Sequence, residues 1–170
     1  MANICSFYGT IVTKDPATLQ VIDRILRGDD LFRCFHRVYD GDVYAIRQEG
    51  DLLIGDFAGN CAWTACHLDE GDMDGEFIYR YVGGGIRMEC VSLVGLQELF
   101  DFGYYLYYEE EGCECVFDCA RDNRGVKLFD NYLYDQKPDD WYDEDRNPDS
   151  EAFEYETTPF EVTDLYKEVQ

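Results

Sequence analysis

The sequence predicts an α+β domain: an antiparallel sheet with two helices on one face, followed by an acidic, partly irregular C-terminal extension. Three observations carry that expectation. Residues sort onto two faces with the period of a strand over Asn3–Thr13, and Tyr104–Glu110 and Cys113–Cys119 flank a Glu111-Gly112 turn as a hairpin. Two other stretches place apolar residues at helical spacing, Leu19, Ile22, Ile25 and Leu26 in the first and Leu93, Leu96, Leu99 and Phe100 in the second. From Tyr134 onward the composition changes to acidic residues broken by prolines.

In the first strand Ile4, Ser6 and Tyr8 face one way and Cys5, Phe7 and Gly9 the other. Asp15 then serves as an N-cap ahead of a first-turn Pro16, opening a helix through about Arg27, and Gly28 supplies the stop. Three short strands are expected next, at Leu31–Val38, Asp42–Gln48 and Leu52–Phe57. The turns between them are read at Asp40-Gly41 and Glu49-Gly50-Asp51. The compact segment Gly59–Cys66 reads as a loop or short helix packed on the sheet, and Asp69–Glu76 as an acidic loop. The second helix is expected over Ser92–Phe102. Tyr104–Glu110 and Cys113–Cys119 form a hairpin, with Val126–Leu133 continuing the meander.

The domain proper is read as residues 1–133 and the extension as residues 134–170. Asp135–Gln170 holds 13 acidic residues against Lys137, Arg146 and Lys167, and Pro138, Pro148 and Pro159 forbid a long helix except over Glu161–Val169. Its Trp141, Tyr142, Phe153, Tyr155, Phe160 and Tyr166 suggest docking along the domain instead of free solvation.

Charge narrows the function. With 37 acidic and 14 basic side chains the chain carries a net charge of −23 on 170 residues. Its 46% hydrophobic and 16% aromatic content is too high for a disordered acidic tail. A folded chain that keeps this much unbalanced charge tolerates self-repulsion. Phosphate binding runs on Lys and Arg, so direct binding to extended nucleic acid or to anionic membrane is disfavoured. A basic protein surface is the natural complement. The competing explanation is solubility or adaptation to a salt-rich interior. No basic n-region or long apolar stretch opens the chain, so a cytoplasmic protein with mostly reduced cysteines is expected.

Asn3, Cys5 and Ser6 in the first strand, Trp63 within Gly59–Trp63, the leucine-rich Leu93–Phe100, and Tyr107 or Tyr108 leading into Glu110-Glu111-Gly112 form a pattern. It resembles the YubB-type domain of plasmid, phage and integrating-element proteins. That family opens with Met-x-Asn-Trp-Cys-Ser-Asn and closes a strand with a Tyr-x-Glu-x-Gly turn. Ile4 and Phe7 depart from it. The resemblance spans roughly residues 1–133. It implies a ferredoxin-like α+β sandwich and a mobile-element origin, and it brings no catalytic residues.

Several motifs bear on chemistry. Cys113, Cys115 and Cys119 share strand parity, which a buried hairpin face explains fully, and neither Cys-x-x-Cys nor a His-x₃-His partner supports a zinc site. Cys61 or Cys66 with His36 could form a nucleophilic pair only if the fold brings them together. Val82–Ile86 is glycine-rich but lacks the Lys or Ser/Thr of a phosphate loop, and reads as a turn. Asp69, Asp72, Asp74 and Glu76 lack the calcium-loop register. No cofactor or metal is expected.

Two acidic bands remain: Glu109, Glu110, Glu111 and Glu114 with Asp118 on the hairpin, and Asp139, Asp140, Trp141, Asp143, Glu144 and Asp145 in the extension. Charge runs are usually solvated faces. Carboxylates on alternate strand residues, about 6.8 Å apart, could instead imitate a phosphate track, with Tyr and Trp as interface anchors. The expectation is a non-enzymatic, anti-CRISPR or antirestriction DNA mimic from a phage or mobile element. It would block the basic groove of a host nuclease complex. The alternatives are a structural or regulatory protein-binding module, or a cysteine-dependent enzyme.

Overall fold

The computed structural model describes residues 4–71, 78–82, 84–110, 115–134 and 157–168. Among them the chain is mostly β, with nine strands in two sheets and three short helices. The main sheet is six-stranded and antiparallel, in the order β3–β4–β1–β7–β8–β9. Its strands are β1 Ile4–Thr13, β3 Val38–Glu49, β4 Leu52–Ala62, β7 Phe102–Glu110, β8 Cys115–Arg121 and β9 Lys127–Tyr134. A smaller sheet joins β2 Arg33–Phe35 in parallel to β6 Ile86–Val91, which pairs antiparallel with β5 Tyr79–Val82.

This corrects the two-helix ferredoxin-like expectation. Only α1, Pro16–Arg27, is a full helix. It forms as expected: the Asp15 carboxylate accepts from the Ala17 amide, and Gly28 ends it in the left-handed conformation at φ 75°. The expected second helix is reduced to α3, Leu93–Gln97, five residues long, while α2, Cys66–Asp69, is a single turn. Leu93 and Leu96 are buried, but Leu99, the next residue of the supposed stripe, lies open to solvent. The Gln97 amide caps the region by donating to the carbonyls of Phe102 and Asp122, each at 2.8 Å. The aromatic run from Phe102 then takes over as a central strand.

The strands outgrow their expected bounds in the same region where two turns or loops were read. Asp40-Gly41 lies inside β3, whose register shifts between Val38 and Asp40 and again between Val43 and Ala45, and these irregularities bend the edge strand without ending it. Gly59 continues β4 because it lacks a side chain: a Cβ there would strike the Phe7 ring and the Asp40 carbonyl. Glu49-Gly50-Asp51 does make the β3–β4 turn, with Gly50 at φ 61°. The hairpin of β7 with β8 and its continuation into β9 form as read.

Alternation along β1 separates the two faces as expected. Cys5, Phe7 and Ile11 join Leu19, Ile22, Ile25 and Leu26 of α1 and Phe57, Phe102, Tyr104 and Leu106 in the principal core. On the opposite face Val12, Ile54, Tyr105 and Ala120 are closed by residues 157–168, with Leu165 fully buried and Phe160 stacked 4.6 Å from Tyr105. Within this segment only Val162–Asp164 is helical, as a 3₁₀ turn. Gly103 lies directly beneath it, where a Cβ would fall on the Leu165 carbonyl.

Gly103→Ala and Leu165→Ala should each cost about 2–4 kcal/mol, the first by collision and the second by leaving a cavity. Both should speed proteolytic removal of the C-terminal segment. Denaturant midpoints and limited proteolysis measure the two effects, and wild-type values for both would contradict this packing.

Candidate partner-binding face

The face opposite α1 is closed at one end by residues 157–168 and open at the other. There β1 presents Ser6 and Tyr8, β4 presents Ala58 and Asn60, and β3 places Asp40 and Asp42 directly opposite those two β4 residues. β7 places Tyr107 and Glu109 opposite Tyr8 and Ser6. Tyr8 and Tyr107 stack at 4.6 Å, and the Tyr107 hydroxyl donates to Glu109 at 3.5 Å. The Asn60 side-chain amide and backbone N–H both donate to Asp40 at 3.1 Å. Burial, then the Glu109 charge, pushes the Tyr107 hydroxyl up to about 12, and burial also raises Tyr8, so both rings stay neutral at physiological pH.

At the β3 edge this face sinks into a groove of about 740 Å3 lined by Tyr8, Tyr39, Asp29, Asp40, Asp42 and Arg27. Arg27 is already engaged by Asp23 at 2.9 Å and Asp42 at 3.2 Å. The groove therefore carries uncompensated negative charge beside two tyrosine rings.

The acidic bands expected from the sequence arrange themselves differently. Glu109 is exposed on the open face, but Glu110 is the next residue of the strand and turns to the other side. There it lines a cleft of about 450 Å3 with Cys66, Tyr108, Phe117 and Tyr132. The two do not form one track. Asp118 leaves the band altogether: it is fully buried and accepts from the Thr158 amide at 2.8 Å, the Thr158 hydroxyl and the Asn131 amide at 3.2 Å, and the Tyr105 hydroxyl at 3.4 Å. Glu111, Glu114, Asp139, Asp140, Trp141, Asp143, Glu144 and Asp145 lie outside the described residues. Sequence reasoning missed Tyr39, Asp40 and Asp42 because a turn read at Asp40-Gly41 split β3, leaving Asp42 at the start of a separate strand.

Cys5, Cys34, Cys66 and Cys119 all have thiol pKa values raised above the ordinary one. Cys61 and Cys5 sit side by side in the core, and the hydrogen bond between them together with burial raises the Cys5 thiol. Burial pushes Cys66 up and Cys119 further up, opposite to the lowering a nucleophile needs. Asp69 is buried, not ligating: it receives the Tyr104 hydroxyl and the Arg121 guanidinium. Asp72, Asp74, Glu76 and Cys113 lie outside the described residues. Among the described residues no group of three or more His, Cys, Asp or Glu side chains could hold a metal ion. No helix among them is long and apolar enough to cross a membrane.

No protein-family model, curated protein or solved structure matches the chain.

Most cations are consumed locally: Lys14 by Asp51 and Glu168, Arg33 by Asp30, Arg47 by Asp56 and Glu49, Arg124 by Asp122, Lys127 by Asp130 and Glu70. The surplus carboxylates repel one another, so acidification from pH 7 toward pH 5 should raise the thermal midpoint. Asp30 and Asp122 oppose this at lower pH. Burial raises both, but hydrogen bonds from Phe32, Arg33, Arg124 and Val126 outweigh it, and their net shift is downward. A carboxyl lowered in the folded state contributes stability above its unfolded value of about 3.9, and that stability is lost as pH falls through the folded value. The midpoint should therefore pass through a maximum and fall below about pH 4. Asp122→Asn should flatten that acid limb in a calorimetric pH series.

Proposed function

We propose that this protein is a non-enzymatic inhibitor that docks its open, acidic face on the basic nucleic-acid groove of another protein and excludes DNA or RNA from it. The target class is a host nuclease complex, CRISPR effector or restriction enzyme, and the setting is anti-defence by a phage or mobile element. The observation that carries this reading is the groove of Asp29, Asp40 and Asp42 with Tyr8 and Tyr39, whose only arginine is already paired. Carboxylates at this density offer a cationic surface what phosphates offer it, and the tyrosines add area for anchoring. The acidic run Asp139–Asp145 adds to the net negative charge of the chain.

The target should be captured from host lysate at low salt and released at high salt, and nucleic acid should compete for it. Asp40→Asn/Asp42→Asn/Glu109→Gln should slow association roughly tenfold at low salt and flatten its salt dependence, with the fold unchanged. Neutralising Asp139–Asp145 should act in the same direction. Surface-plasmon association rates across a salt series measure both, and wild-type rates in both variants would refute the reading.

A further inference from the structure

In this acidic molecule one cleft collects cations and aromatic rings. It lies where the start of β3 and the end of β4 meet β5, holds about 400 Å3, and is lined by His36, Arg37, Tyr39, Trp63, Tyr79 and Arg80 among others. None of its described lining residues is acidic. Among the described residues Arg80 makes no ion pair. Outside that lining, the Arg87 guanidinium lies 3.2 Å from the centre of the Tyr79 ring.

The backbone is held in an unusual state at this cleft and nowhere else among the described non-glycine residues. Arg37 at φ 58° and Trp63 at φ 70° are the two left-handed residues, and both line it. The Ala62 amide donates to the Arg37 carbonyl at 3.0 Å, tying the two segments together. Left-handed backbone costs energy for residues with a Cβ and persists where the surroundings impose it, often at ligand sites. Here the result is a Trp63 ring left half-exposed beside two arginines.

We infer that this cleft binds a nucleoside monophosphate, its base against Trp63 and Tyr79 and its phosphate on Arg80. A planar base stacks on aromatic rings without sequence preference, and guanidinium groups grip phosphate through paired N–H donors. The volume falls within the range of about 300–1,000 Å3 usual for small-ligand sites. The surrounding field makes the choice between a nucleotide and a polymer, because further phosphates of a strand would meet carboxylates. The inference does not rest on the partner-binding reading.

Calorimetric titration of the full chain with AMP, adenosine and ribose 5-phosphate tests it. AMP should bind saturably at one site, and adenosine and ribose 5-phosphate should each bind at least about tenfold more weakly, since each lacks one of the two recognised parts. Arg80→Gln should weaken AMP about tenfold and leave adenosine unchanged. Arg80 is exposed on a short strand, so the fold is not at stake, and Trp63→Leu provides an independent second variant that should weaken AMP and adenosine alike. Absence of AMP binding, ribose 5-phosphate binding as tightly as AMP, or unchanged AMP affinity in both variants would each overturn the inference. AMP should bind normally to Asp40→Asn/Asp42→Asn/Glu109→Gln, so failure of the groove and failure of the cleft are read separately.

Discussion

A six-stranded sheet exposes two apolar faces, and each needs a cover. Helix α1 with α2 and α3 closes one. On the other, cover and sheet are joined through Asp118, a carboxylate with no solvent exposure in the middle of a central strand. Such a group is expensive to bury unless its oxygens are satisfied. Tyr105 and Asn131 on the flanking strands provide part of the shell, and the amide and hydroxyl of Thr158 complete it from the C-terminal segment. Until residues 157–168 arrive, Asp118 lacks two of its donors and Val12, Ile54 and Tyr105 lack their cover. Asn123 locks the far end of the segment, exchanging hydrogen bonds with Leu165 and Lys167. The chain terminus is thus a layer of the fold, and sheet and segment form one cooperative structure.

That arrangement explains how the chain remains folded under its charge. Most of the described lysines and arginines are drawn into pairs, some of which brace particular joints. Lys14 ties the β3–β4 turn to the C-terminal segment through Asp51 and Glu168, and Arg121 ties β8 to α2 through Asp69 and Glu70. Apart from the buried Arg121–Asp69 pair, such exposed pairs contribute little each, so the core carries most of the stability. The excess negative charge is then free to act on other molecules.

Local signals in the sequence were legible where one physical cause dominated. The capped helix α1 and the facing of β1 follow from Asp15-Pro16, Gly28 and strict alternation, and all appear as read. The second helix failed because Leu93, Leu96, Leu99 and Phe100 fit helical spacing for barely two turns, and the aromatic strand following them competes for the same residues. Asp40-Gly41 has turn chemistry, yet pairing with Asn60 and Gly59 along β4 overrides it. Of the site, Glu109 was legible as an exposed strand carboxylate. Asp118 was not, because its burial depends on Thr158, forty residues away, and pairwise contacts at that distance leave no periodic trace. Asp40 and Asp42 became a site only once β3 was seen to run through them.

The same stretch of β3 sets the boundary between the acidic groove and the cationic cleft. Tyr39 lines both. On its N-terminal side His36 and Arg37 turn to the cleft; on its C-terminal side Asp40 and Asp42 turn to the groove. A regular strand would alternate these side chains between two faces of one sheet. The left-handed Arg37 and the register shift between Val38 and Asp40 break that alternation, re-aiming the residues on either side of Tyr39. The cost of that irregularity is offset by the β3–β4 ladder beside it. The irregularity therefore leaves two differently charged surfaces side by side on one edge of the sheet.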